Sequence, residues 1–87
     1  MIKRGDKVFV KTDNESINRM RRYLTNNKII RHIINNPDEI YEVAYKGKDS
    51  VMLSEFADMD SKYIPIECVE LVQNQLIHRI RRESIQF

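Results

Sequence analysis

The chain has 87 residues and a mass of 10.4 kDa, with 41% hydrophobic residues, fifteen Lys and Arg against thirteen Asp and Glu, and a formal net charge of +2. That length fits one domain with a thin core, one that buries about 60 to 65% of the surface its unfolded chain exposes. Two glycines are too few for a glycine-rich phosphate loop, the lone Cys68 excludes an internal disulfide and a cysteine-based zinc site, and apolar runs of at most three residues, such as Val8-Phe9-Val10, exclude a bilayer span.

Residues Gly5 to Thr12 read as a strand, with Val8 and Val10 on the core face and Lys7, Phe9 and Lys11 on the other. Phe9 reads two ways: covered by another segment, or part of an aromatic-and-lysine contact surface. Asp13 and Asn14 suit a helix N-cap, and Ile17, Met20 and Leu24 follow at helical spacing, which predicts a helix over 14–25 with Arg19, Arg21, Arg22 and Tyr23 off the apolar stripe. Ile29-Ile30-Arg31-His32-Ile33-Ile34 is ambiguous. Its isoleucines favour a strand, whereas Ile29/Ile33 and Ile30/Ile34 at i, i+4 suit a short helix, the reading that makes 13–36 one helical insertion. Pro37 ends the segment either way.

Ile40 to Lys46 and Ser50 to Glu55 form a predicted hairpin around Lys46-Gly47-Lys48-Asp49, with a positive φ expected at Gly47. Tyr41, Val43 and Tyr45 are expected on one face. Residues 57–62 read as a polar loop, and Pro65 as part of a turn before a last strand over Cys68 to Val72. The tail, 73–87, has neither glycine nor proline; Leu76, Ile77, Ile80 and Phe87 fall near one helical face, which predicts an amphipathic helix that needs something to dock on.

Gly5-Asp6-Lys7-Val8-Phe9-Val10, the hairpin strands Tyr41 to Gly47 and Ser50 to Leu53, and the finish Ile64-Pro65-Ile66-Glu67-Cys68-Val69-Glu70-Leu71-Val72 together resemble a small SH3-like β-barrel. The resemblance covers residues 4–12 and 39–72. It implies an α+β single domain: a barrel with a helical insertion after its first strand and a C-terminal helix over 73–87. The short Asn- and Ile-rich chain also looks like a small bacteriophage accessory protein.

No motif of catalysis stands out, so the expectation is a non-enzyme without cofactor or metal. His32 in its isoleucine run reads as a half-buried or interfacial histidine, and a metal site there would need carboxylates brought in by the fold. His78 reads as a solvated residue of the tail. Glu55, Asp58 and Asp60 crowd one loop but lack the spacing of a calcium loop. Cys68 reads as a small core residue.

Charge is segregated. Residues 1–36 carry nine basic and three acidic residues (+6), residues 37–72 three basic and nine acidic (−6), and residues 73–87 a net +2. Either the fold interleaves the halves, or the protein presents a basic and an acidic face. The expected function is a binding module for a protein partner, such as a phage-type modulator or inhibitor of a host protein. Lys7, Phe9, Lys11, Arg19, Arg21, Arg22 and Tyr23 are its candidate contacts, and Leu76, Ile77, Ile80 and Phe87 form a tail interface, for a partner or a homodimer. The alternative is a nucleic-acid binder using the basic N-terminal half. With no membrane segment, a cytoplasmic location is expected.

Overall fold

The computed structural model of the protein describes residues 2–23 and 25–72. It is an α+β arrangement of five strands and two helices: β1 (Lys7–Val10), α1 (Asn14–Arg22), α2 (Asn27–Asn35), β2 (Tyr41–Lys46), β3 (Ser50–Leu53), β4 (Tyr63–Pro65) and β5 (Val69–Leu71), with 3-10 turns at Ser54–Phe56 and Ile66–Cys68. The strands form one antiparallel sheet in the order β4-β3-β2-β1-β5.

The sheet stays open, which corrects the expected SH3-like barrel. Closure requires β4 and β5 to pair, and they occupy opposite edges. Each edge strand has three residues, and Pro65 has no N–H to give. The link between the helices takes polar groups at β4 instead. The Thr25 hydroxyl donates to the Tyr63 carbonyl at 2.9 Å, and the Asn26 N–H donates to the Ser61 carbonyl at 2.8 Å. The expected C-terminal helix over 73–87 lies outside the described residues, as does Leu24.

Both helices begin on a side-chain cap. Asp13 accepts from the Ser16 N–H at 3.1 Å and from its hydroxyl at 2.7 Å; Asn26 accepts from the Lys28 N–H at 2.8 Å. Capping decides the ambiguous isoleucine run in favour of helix, because Ile29, Ile30 and Ile33 then share a buried stripe while Ile34 stays exposed. That stripe and Ile17 and Met20 of α1 pack on Val8, Val10, Tyr41, Val43, Val51, Leu53 and Ile64 of the sheet, with Phe56, Cys68 and Val69 closing the core.

Two backbone expectations are corrected. The left-handed glycine is Gly5, at φ 90°, not Gly47; the hairpin closes by the Gly47 N–H donating to the Ser50 carbonyl at 2.8 Å. Tyr45 does not share the face of Tyr41 and Val43. The register shifts between Val43 and Tyr45, so Tyr45 comes opposite Met52 and turns outward, 52% exposed. Met52 in turn pairs with Tyr63, and the two tyrosine rings meet edge to face at 6.3 Å. Among the described residues, no helix is long and apolar enough to cross a membrane.

Candidate functional site

The candidate contact residues fall into two sets. Lys7 and Phe9 lie on β1, where Val8 and Val10 face the core under the helices, so alternation aims the two at the opposite face of the sheet; Lys11 follows just after the strand. Phe9 is buried, at 7% exposure, and so offers no open stacking surface. Lys7 is exposed and ion-paired with Glu42 at 2.6 Å across the β1–β2 register. Lys11 lines a cavity of about 250 Å³ together with Phe9, Asp38 and Glu70, so charge there is mixed.

The second set lies on α1. Arg19 is held between Glu15, at 3.2 Å, and Glu67, at 3.4 Å. Arg21 and Arg22 in the last turn are exposed, as is Tyr23, which ends the helix at 45% exposure. Arg21 lines a cleft of about 340 Å³ between α1 and α2, shared with Asn27, Ile30, Arg31 and Ile34 of α2. Among the described residues, Arg21, Arg22, Lys28 and Arg31 form no ion pair. Arg31 and Asn27 escape a sequence reading because nothing local shows which flank of α2 will face α1. The expected tail contacts Leu76, Ile77, Ile80 and Phe87 lie outside the described residues.

A different group gathers at the C-terminal end of α2. His32 stands one turn before the end of the helix, where the Asn36 side-chain amide donates to its carbonyl at 2.9 Å. Pro37 then turns the chain, the Glu39 N–H donates to the Asn36 carbonyl at 3.2 Å, and Tyr41 opens β2. Glu55 comes from the 3-10 turn after β3, anchored by buried Phe56. His32 Nε2 lies 2.5 Å from Glu39 Oε2 and 3.8 Å from Glu55 Oε2, and one donor atom from each residue falls within 4.8 Å of the others. The rings of His32, Tyr41 and Phe56 pack against one another, with His32 at 5.5 Å from Phe56 and 6.3 Å from Tyr41, both edge to face.

Environment splits the carboxylates. Burial pushes the Glu39 carboxyl up most strongly, but the polar contacts of His32, then Tyr41 and Glu55, together outweigh it and hold the group below the ordinary value. Burial and the neighbouring Glu39 push Glu55 up. Tyr41 is 3% exposed; burial, then the adjacent Glu39 and Glu55, push its phenol well up. Its hydroxyl faces the Glu39 carboxylate without closing a hydrogen bond to it. Nothing in the local sequence marks a ligand here, because His32 and its two carboxylates meet only through the turn at Pro37 and the β2–β3 hairpin. Glu55 belongs to this group and not, as the chain order suggests, to a loop cluster with Asp58 and Asp60.

Cys68 is fully buried, its thiol reaching the Ser16 carbonyl at 3.5 Å, and burial pushes its pKa up, which makes it a poor nucleophile. Comparison of the chain with family models, with curated proteins and with solved structures finds no match.

Proposed function

We propose that the chain is a non-enzymatic binding module whose α1–α2 hairpin takes an acidic segment of a protein partner. The observation that supports this reading is the cleft between the helices, which sets the guanidinium groups of Arg21 and Arg31, free of ion pairs among the described residues, beside Ile30 and exposed Ile34. Guanidinium forks suit carboxylates, and an isoleucine wall suits an apolar neighbour on the same segment. A phosphate backbone would use the arginines but leave the isoleucines unmatched, and among the described residues the cleft is lined by no aromatic ring on which a base could stack. Tyr23 and Arg22, at the end of α1, are of the types that dominate interface energetics. A single buried thiol suits a reducing intracellular setting.

The test immobilises the full chain and presents peptides that alternate acidic and apolar residues, a duplex oligonucleotide and a single strand, over a range of salt. The reading expects peptide binding that drops at least tenfold in Arg21→Glu/Arg31→Glu and is unmoved by Lys7→Glu. Oligonucleotide binding with a steep salt dependence and no peptide binding would replace it with the nucleic-acid alternative.

A further inference from the structure

The structure assigns a second, independent site: His32, Glu39 and Glu55 form a divalent-cation site, of the nitrogen-and-carboxylate type that suits zinc, with the Tyr41 hydroxyl supporting its ligands. Acidic side chains often cluster without holding an ion. What separates this group from a chance cluster is Tyr41. The residue is 97% buried, it lies against the His32 and Phe56 rings, and its hydroxyl points at the carboxylates without a hydrogen-bond partner among the described residues. Buried hydroxyls are nearly always satisfied, by protein, water or ligand. A cation with its own bound water supplies what is missing, a fixed carboxylate or a water to which the phenol can bond.

Charge and geometry point the same way. Two carboxylates and one imidazole stand within 4.8 Å, and the short contact of His32 with Glu39 leaves Glu55 at 3.8 Å from the ring nitrogen, against the Glu39 carboxylate. Two carboxylates thus crowd one imidazole nitrogen. A tetrahedral zinc with donors at about 2.1 Å holds them about 3.4 Å apart. The observed separations, 2.5 and 3.8 Å, fall on either side of that value. Modest rotations of the two half-exposed glutamates would bring them into place. On binding, the metal takes the Nε2 lone pair of His32, any proton carried on Nε2 leaves to solvent, and the neutral ring keeps its proton on Nδ1. The three ligands come from three anchored pieces of chain: the last turn of α2, the loop after Pro37, and the 3-10 turn pinned by Phe56. One imidazole nitrogen favours zinc over magnesium, which keeps to oxygen donors in octahedral array.

The test titrates the full chain with zinc chloride alone, by calorimetry and by thermal unfolding with and without a chelator. The expected result is one saturable site per chain and a rise in Tm that the chelator reverses. Glu39→Gln and Glu55→Gln, which keep size and shape, are each expected to weaken binding at least tenfold while still folding. Tyr41→Phe is expected to keep the stoichiometry and to lose about tenfold in affinity, as outer-shell partners do. His78→Gln is expected to change nothing. Absence of binding at 1 mM zinc, unchanged affinity in both glutamine variants, or magnesium binding as tight as zinc would overturn the assignment. A cluster that ignores zinc is a proton-sharing triad. Peptide binding in the α1–α2 cleft is measured separately, so the failure of one site leaves the other standing.

Discussion

The Tyr41 hydroxyl gives the sharpest stability prediction. In Tyr41→Phe the ring stays, and with it the contacts to Phe56 at 5.5 Å and His32 at 6.3 Å. No apolar surface is lost, because the side chain is already buried. What leaves is a hydroxyl that gave up water on folding and gained no partner among the described residues. An orphan of this kind costs about 1–3 kcal/mol. The nearby Glu39 carboxylate offsets part of that by favouring the O–H dipole, which places the expected gain near the bottom of the range, about 1 kcal/mol. For a domain of this size, 1 kcal/mol is about 4–8 °C in Tm. The assay is equilibrium urea unfolding followed by far-UV circular dichroism, with chelator present so that no cation contributes. With an m-value of about 1–2 kcal/mol/M, the midpoint of Tyr41→Phe is expected to rise by roughly 0.5–1 M at unchanged slope. A midpoint lowered by 0.5 M would refute the reasoning, since it would mean the hydroxyl makes a bond that stabilises the fold.

Three further outcomes follow from the helix caps and the thiol. Asn26→Ala removes the α2 cap and the amide bond to the Asp60 carbonyl at 3.0 Å, and is expected to lower stability by about 1–2 kcal/mol in the same urea assay, whereas Asn26→Asp keeps the cap and loses less. Hydrogen bonds from Ser16, side chain first and then backbone, hold the Asp13 carboxyl below its ordinary 3.8, so its contribution is full above pH 3.8 and disappears as the pH falls through the lower native value. The stability gap between wild type and Asp13→Asn is therefore expected to be constant near neutrality and to close in acid; a gap that widens below pH 3.8 would reverse the sign. Cys68 is expected to resist an aromatic disulfide reagent in native buffer and to react fully in denaturant, and fast labelling of the folded chain would show that the β5 edge opens locally.

What the sequence makes legible is periodic. Val8 and Val10 alternate into the core, and Ile17 and Met20 fall on one helical stripe, because each pattern has a single partner surface to satisfy. The isoleucine run needed more than periodicity: both of its readings bury isoleucines, and Asn26 capping Lys28 decides between them. The outward turn of Tyr45 was invisible, since a shifted register breaks period-2 alternation without leaving a glycine or proline to mark it. Strand β4 was hidden for a similar reason. Tyr63–Pro65 is too short to show a pattern and ends on a residue that reads as a turn. The barrel expectation failed because strand order alone does not determine closure; the helical link reaches β4 through Thr25 and Asn26. The His32 group was out of reach because residues far apart in the chain converge without any shared spacing.

The segregated charge looks different once placed on this fold. The basic first half and the acidic second half meet in two ion pairs among the described residues, Lys7 with Glu42 and Arg19 with Glu67, and both are exposed. Exposed pairs are screened and weak, so they do not merge the halves electrostatically. Helix α2 carries the consequence. Its stripe of Ile29, Ile30 and Ile33 fixes it on the core, Arg31 and Ile34 border the cleft with α1, and His32, about 100° around the helix from Arg31, reaches the carboxylates of the loop and the 3-10 turn. One nine-residue helix thus divides a cationic surface from an anionic one. A near-neutral total of +2 conceals that division, because among the described residues each surface lacks the counter-charge that the other holds too far around the helix to supply.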